Sequence, residues 1–511
     1  MGKVKSSDAA RLRQYVSEFK DVFITNDKIL FCKACGKNIV SKQRSQVTQH
    51  ISGHKHIAAV NHLKNQPTRQ SLLGEPFASS SSSSEPSLFT KYSTDMCNAL
   101  ISADIPLSKI SNPVFRGFLE KYTHLDSPDE STLRKYYLPK CYEETINKIR
   151  KKCENENIWV SFDETSDSSG RKIVNIIIGV LKDDEVLSEK FYLLACEEIS
   201  TVNHTTVARV FNDAMHILWP GGVKYDNVLL LLTDAAPYMI KAGVGLSVSY
   251  PKMIHVTCVA HALHRVCETI RVLYPNVDKL IANAKKVFVK SPSRIEIFKS
   301  KAPDTPLPPT PVITRWGTWM DAVKYYATNF ELIYSVVNEL DREDASSIAI
   351  LQDMFQTPSE VTALKTDLAF ISANFCFLSH SITKLEKTKL LLTESLKEID
   401  KVENKLNEIC GSKVNEIKQK FLLCLNKNKG LQVMRKISDT LMGNVVENFE
   451  QLEHLSVSEI ACYKFARLTS CDVERTFSRY KSLFRDNRHS FKMPNLTSTF
   501  VVHCNSSSLA D

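Results

Sequence analysis

Three acidic residues interrupt apolar runs of this chain: Asp163 in "WVSFDETSD", Asp234 in "VLLLLTDAAPYM" and Glu474 in "SCDVERTFSRYKSLF". A carboxylate at the end of a buried strand is costly unless it meets something positive. Three that converge can hold two divalent cations, Mg2+ or Mn2+, and the reaction such a pair serves is displacement at a phosphodiester. A second constellation lies near the start. Cys32-x-x-Cys35 is followed by His50 and then by His54 or His56. Two thiolates from a hairpin knuckle and two imidazoles from a helix make a closed tetrahedral Zn2+ site with a structural role. His50 and His54 fall one turn apart on a regular helix. His56 requires that helix to distort, which Gly53 permits. Lys42, Arg44, Gln46 and Gln49 cluster at the helix start. Arg and Gln match the major-groove edges of guanine and adenine, and Lys grips phosphate, so the expected partner is double-stranded DNA.

The charge distribution agrees. The net charge is +9, and residues 1–70 carry all of it, with 13 Lys/Arg against 4 Asp/Glu. A compact basic module is the electrostatic footprint of a nucleic-acid binder. The 14 cysteines are scattered over 511 residues, too sparse for a disulfide framework, and no secretory signal is evident, so a reducing compartment is expected. No apolar run is read as long enough for a bilayer; "IVNIIIGVL" is strand-sized, and no membrane partner is expected.

These residues need elements to hold them. Residues 1–64 read as a ββα zinc-finger domain, with a turn at Asn26-Asp27 between two apolar stretches and a helix over "SQVTQHISGHKHIAAVNHL". Residues 65–92 form a Ser/Pro-rich linker, and 93–157 a helical intermediate region broken by prolines. From 158 to 289 the pattern is three strands ("IWVSFD", "KIVNIIIGVL", "EKFYLLACEEI"), then helix, "NVLLLLTD", helix, "IHVTCV" and helix. That order predicts an α/β layer with a mixed sheet, with Asp163 and Asp234 at neighbouring strand ends. Residues 290–455 are a helical insertion. Leu378, Leu385, Leu392, Ile399 and Leu406 recur every seven residues there, favouring a bundle helix over a coiled coil. Residues 456–503 return to a mixed pattern around Glu474, which lies at the edge of a stripe made by Val473, Phe477, Tyr480 and Phe484.

"SFDETSD", "LLTDAAPYM", "CVAH", "TRW" and "SCDVERTFSRYKSLFRDNRHSF" resemble the motifs of hAT transposases, a likeness that covers residues 93–503. The resemblance implies an RNase H-like core interrupted by a large α-helical insertion, with Asp163, Asp234 and Glu474 as the metal-binding triad. It implies that residues 456–503 complete the core and mediate homo-oligomerisation. Cys258 and His261 match the family's Cys-x-x-His motif, and Trp316 a tryptophan that stacks on an extruded base. Tyr480 or Lys481 stands where the family has a glycine. Separately, "HISGHKH" resembles a matrin-type finger whose histidines are five residues apart, which favours His56 over His54. The finger, "CNALISADIPLSKISNPVFRGFL" and "STLRKYYLP" resemble CGG-triplet-repeat-binding proteins over residues 28–145. Two functions stay open: a nuclear transposase that cuts and joins DNA, or a nuclear DNA-binding regulator that keeps the fold without cleavage.

Overall fold

The computed structural model describes residues 8–19, 22–25, 30–32, 37–39, 41, 43–54, 56–57, 88–167, 169–312, 317–445, 452–484 and 492–509. Two compact units emerge, Met1–Glu85 and Pro86–Asp511. In the first, helix α1 (Asp8–Glu18) precedes strands β1 (Phe23–Thr25), β2 (Leu30–Cys32) and β3 (Lys37–Ile39), and helix α2 (Arg44–Ser52) follows. The strands pair antiparallel in sequence order, Phe23 opposite Cys32 and Leu30 opposite Ile39. Their small core buries Leu12, Tyr15, Phe23, Leu30, Cys32 and Val47. The expected ββα outline therefore lacks one strand and one helix. Leu12, Tyr15, Val16 and Phe19 have helical spacing, but they sit in the basic stretch, where the charge hid the amphipathic pattern.

The second unit is a mixed α/β layer. After helices α3 (Leu88–Ser102) and α4 (Leu138–Lys152) come β4 (Ile158–Ser166), β5 (Lys172–Val180) and β6 (Tyr192–Ile199). Then follow α5 (His204–Leu218), β7 (Val228–Thr233), α6 (Pro237–Ser247), β8 (Ile254–Thr257) and α7 (Val259–Leu273). The sheet order is β6-β5-β4-β7-β8. The first three strands meander antiparallel, and β7 and β8 run parallel to β4. All of β7, and all of β5 after Lys172, is buried, so helices must cover both faces. Trp159 lies across Gly179 on the neighbouring strand; a Cβ there would fall 2.5 Å from the indole, so the site requires glycine.

Both edges of this sheet end against an asparagine. On β8, Asn428 Oδ1 accepts from the Thr257 amide (3.1 Å), and its Nδ2 donates to the Thr257 carbonyl (2.6 Å). On β6, Asn505 pairs with the Leu193 amide and carbonyl in the same way, both at 2.9 Å. Each carboxamide supplies the donor and acceptor that a further strand would, so the backbone of Thr257 and of Leu193 is satisfied without another strand.

From Pro275 to Leu441 every regular element among the described residues is helical. The last two are α8 (Val414–Asn426) and α9 (Lys429–Leu441), and α9 starts hard against β8: a Cβ on Gly430 would lie 2.0 Å from the His255 carbonyl oxygen. The seven-residue row is divided between two helices, Phe377–Leu385 and Leu392–Glu408, because residues 386–391 form a turn with Lys389 at a φ of 67°. The expectation that no run can span a bilayer needs correction: Pro358–Leu385 is long and apolar enough by length and composition. Those residues form two consecutive helices, Pro358–Phe375 and Phe377–Leu385, which bury Leu364, Leu368, Ile371, Phe375 and Leu378. Glu474 lies on α10 (Cys471–Leu483), followed by α11 (Met493–Asn505). The described residues of 457–484 and 492–505 thus carry helices rather than a mixed pattern. α10 packs on β4 and β5, and α11 on β6, α3 and α4.

Candidate functional site

The register of β4 and β7 brings two acids together. Their last pair is Ser161 opposite Leu232, and Asp163 and Asp234 each lie two residues further on. Asp163 does not close its strand as expected. β4 continues to Ser166 as a hairpin with β5, and Asp163 stands where β7 stops pairing. Asp234 turns the chain into α6, its Oδ1 accepting from the Ala236 amide at 3.0 Å. Beneath it, the Thr233 hydroxyl is 2.8 Å from His255 Nε2. Burial lowers the His255 pKa to about 4, so that ring is neutral at pH 7.

Glu474 comes from the first turn of α10. Val473 and Tyr480 are fully buried and Phe477 and Phe484 nearly so, which turns the stripe inward and leaves Glu474 at its edge. Tyr480 packs edge-on against Phe500 and donates to Asp167 at 3.3 Å. Asn175, the cross-strand partner of Asp163, donates to Thr476 Oγ1 at 2.8 Å. One buried bond therefore fixes the helix of Glu474 to the strand beside Asp163.

His261, on α7, joins these acids. Its Nε2 lies 3.4 Å from Glu474 Oε1. Burial opposes its charge, but Cys258, Glu474 and Asp163 outweigh it, and the imidazole is pushed up to about 10. Burial would raise the Cys258 thiol, yet hydrogen bonding from Cys471 and the charge of His261 bring it well below its usual value. The Ser470 amide also donates to Cys258 Sγ at 3.2 Å. Cys258 and His261 are thus neighbouring groups shifted in opposite directions, the thiol down and the imidazole up. Asp163 lies well above the carboxylate range; desolvation raises it first, His261 partly offsets this, and Asp234 and Glu164 add repulsion.

Two neighbours were not singled out in the sequence. Glu164 accepts a hydrogen bond from the Tyr238 hydroxyl, and its pKa is raised by burial despite that bond, with Asp234 adding repulsion. Its other oxygen, Oε2, is buried with no hydrogen-bond partner. Side chains alternate along a strand, so nothing in strand periodicity points to Glu164 beside Asp163; the adjacency of "DE" in "SFDETSD" was the available signal. Four acids thus share a region in which His261 is a close cation. An unpartnered buried oxygen and an excess of negative charge fit a divalent cation. Asp163, Asp234 and Glu474 do not close to within 4.8 Å of one another as ligand atoms. Among the described residues the group that does is Cys32, His50 and His56.

That group lies in the first unit. Cys32 Sγ is 3.4 Å from His56 Nδ1, and the His50 and His56 rings are 4.9 Å apart. Cys32 and His56 are buried, whereas His54 is exposed. One sulfur and two imidazole nitrogens, closed off from solvent, can hold a metal such as zinc. Cys35, Lys42 and Trp316 lie outside the described residues. Of the other residues expected to touch DNA, Arg44 is exposed but ion-paired with Glu18 of α1. Gln46 Oε1 accepts from the Gln43 amide at 3.1 Å, capping α2, and Gln49 is exposed.

Residues 128–287, which carry the strands with Asp163 and Asp234, match a domain family described as a domain of unknown function (DUF659). The chain is also similar to CGG triplet repeat-binding protein 1 of Mus musculus, at 26% identity over 132 residues, which is 25% of this chain and 78% of that protein.

Proposed function

We propose that this is a DNA-binding protein of hAT transposase type, with an RNase H-like second unit that cleaves and joins DNA strands. The observation that carries the reading is the placement of Asp163, Asp234 and Glu474 around one region, from two parallel strands and a packed helix. The order β6-β5-β4-β7-β8, with two antiparallel and two parallel pairings, supports the RNase H-like assignment. Asp163, Asp234 and Glu474 would hold Mg2+ or Mn2+, with Glu164 at hand. Cations bound there would supply activation of the attacking oxygen and stabilisation of the leaving one. His261 keeps Glu474 and Asp163 together in its absence by supplying positive charge. Tyr238 holds Glu164 by its hydroxyl, and Asn175 fixes Glu474 through Thr476.

The first unit supplies recognition in this reading. Zn2+ on Cys32, Cys35, His50 and His56 stabilises a core too small to stand alone, and α2 offers Arg44, Gln46 and Gln49, with Lys42 before it, to duplex DNA. Function in the nucleus and assembly through residues 456–503 belong to the same proposal. A domesticated regulator without cleavage is the second reading. The likeness to a repeat-binding protein favours it, and so does the His261 imidazolium already set against the acids.

A cleavage assay separates the two. Duplex DNA from the ends of the element encoding the protein is incubated with the full chain and Mg2+ or Mn2+. Nicking by the wild type, abolished in Asp234→Asn while DNA affinity is retained, supports the transposase. Tight binding without cleavage in either metal supports the regulator.

A further inference from the structure

A cleft of about 490 Å3 opens beside Asp234, at the C-terminal ends of β7 and β8. Ala235, Pro237 and Ile240 form one wall, at the start of α6. Thr257 and Cys258 lie at its base, and Arg265 reaches in from α7. Lys420, Leu423 and Cys424 of α8, with Lys427 just beyond, close the opposite side. The volume is that of a small-ligand site. Among the described residues none that lines it is acidic, although the acid cluster begins at the adjacent residue. Arg265, Lys420 and Lys427 line the cleft together with Cys424, whose thiol all three cations bias downward against its burial. Ile240 and Leu423 are 37% and 49% exposed, an apolar rim beside the charges.

We propose that this cleft takes one nucleotide of a DNA strand, its phosphate on Arg265, Lys420 and Lys427 and its sugar and base against Pro237, Ile240 and Leu423. The inference rests on the DNA-binding reading and holds for either version of it. A strand seated here continues directly past Asp234. The cations balance a phosphodiester that the neighbouring carboxylates alone repel. Among the described lining residues Thr257 is the single hydroxyl and none is aromatic or carries an amide side chain, so the cleft grips backbone and tolerates any base.

The test uses the full, zinc-loaded chain without Mg2+ or Mn2+ and a mixed-sequence 12-nucleotide single strand. Two readouts are taken. In wild-type protein, the rate at which a maleimide labels Cys424 is mapped by mass spectrometry with and without the oligonucleotide, with exposed Cys410 as the reference. The salt dependence of affinity is then compared between wild type and the Arg265→Ala/Lys427→Ala double variant. Both substituted residues are exposed, and a thermal melt verifies folding. Protection of Cys424 but not Cys410, with the salt slope reduced by up to roughly 0.7 and affinity by on the order of fivefold at 0.1 M salt, is the expected result. A protein that binds the strand with Cys424 unprotected and the slope unchanged overturns the cleft assignment alone. A protein that binds neither single nor double strands at low salt overturns the DNA-binding reading itself.

Discussion

Asp163 shows what this site costs the chain. Its carboxyl is desolvated and faces Asp234 and Glu164, so its folded pKa lies well above its ordinary value. An acid raised in this way binds its proton more tightly folded than unfolded. Its penalty is therefore absent below the unfolded pKa of about 3.9, grows as pH rises above it, and is complete once pH exceeds the folded value. Asp163→Asn removes the charge at constant volume. We expect the variant, in EDTA at pH 7, to melt at a higher temperature than the wild type, with the gap closing as pH falls towards 4. Thermal melts across that range check it; a variant that is less stable at pH 7 would mean that His261 overcompensates the burial. Asn175 calls for a different measurement. Asn175→Ala breaks the bond to Thr476 and leaves that hydroxyl its bond to the Val473 carbonyl. The predicted effect is a loss of metal affinity and cleavage at nearly unchanged DNA affinity, because only the placement of Glu474 is disturbed.

At the level of elements, the two asparagines that close the sheet make the clearest stability prediction. Asn428 and Asn505 are 3% and 1% exposed, and each satisfies both backbone groups of an edge residue. Alanine at either position leaves a buried amide and carbonyl unpaired, at about 1–3 kcal/mol per group. Denaturant midpoints should fall clearly for both variants, and aspartate, which cannot donate to the carbonyl, should not rescue either. Asn428 also accepts from the Leu431 amide at the start of α9, so its loss should loosen that helix and speed hydrogen exchange there. Neither role was legible in the sequence, because an asparagine gains this meaning only from a strand some 170 or 310 residues away. The five strands were legible, since "KIVNIIIGVL" and "NVLLLLTD" are dense in β-branched and leucine residues between turn signals. The acids Asp163, Asp234 and Glu474 stood out because each breaks an apolar pattern. Glu164 and Tyr238 did not, since their pairing is purely tertiary. Helix α1 was lost for the opposite reason: a basic stretch drew attention to its charge rather than to the spacing of Leu12, Tyr15 and Phe19.

For the whole molecule, the two units divide recognition from chemistry in this account. The first buries few large side chains, so in this account its fold depends on a metal that Cys32, His50 and His56 could hold. Chelation, or Cys32→Ser, should unfold this unit and remove specific duplex binding, while the melting transition of residues 86–511 stays in place. Circular dichroism and calorimetry of the full chain resolve the two events. His56→Ala should weaken zinc binding more than His54→Ala, since His54 is exposed away from Cys32. The central claim, that the acids of the second unit hold a divalent cation, is tested most directly without any DNA. Bound Mn2+ is counted by electron paramagnetic resonance in zinc-loaded protein, comparing wild type with Asp234→Asn and Glu474→Gln. The account predicts that the wild type binds Mn2+ at neutral pH and that each variant loses most of that binding while its melting temperature is kept. Equal Mn2+ binding by all three proteins, or none by any of them, would contradict it.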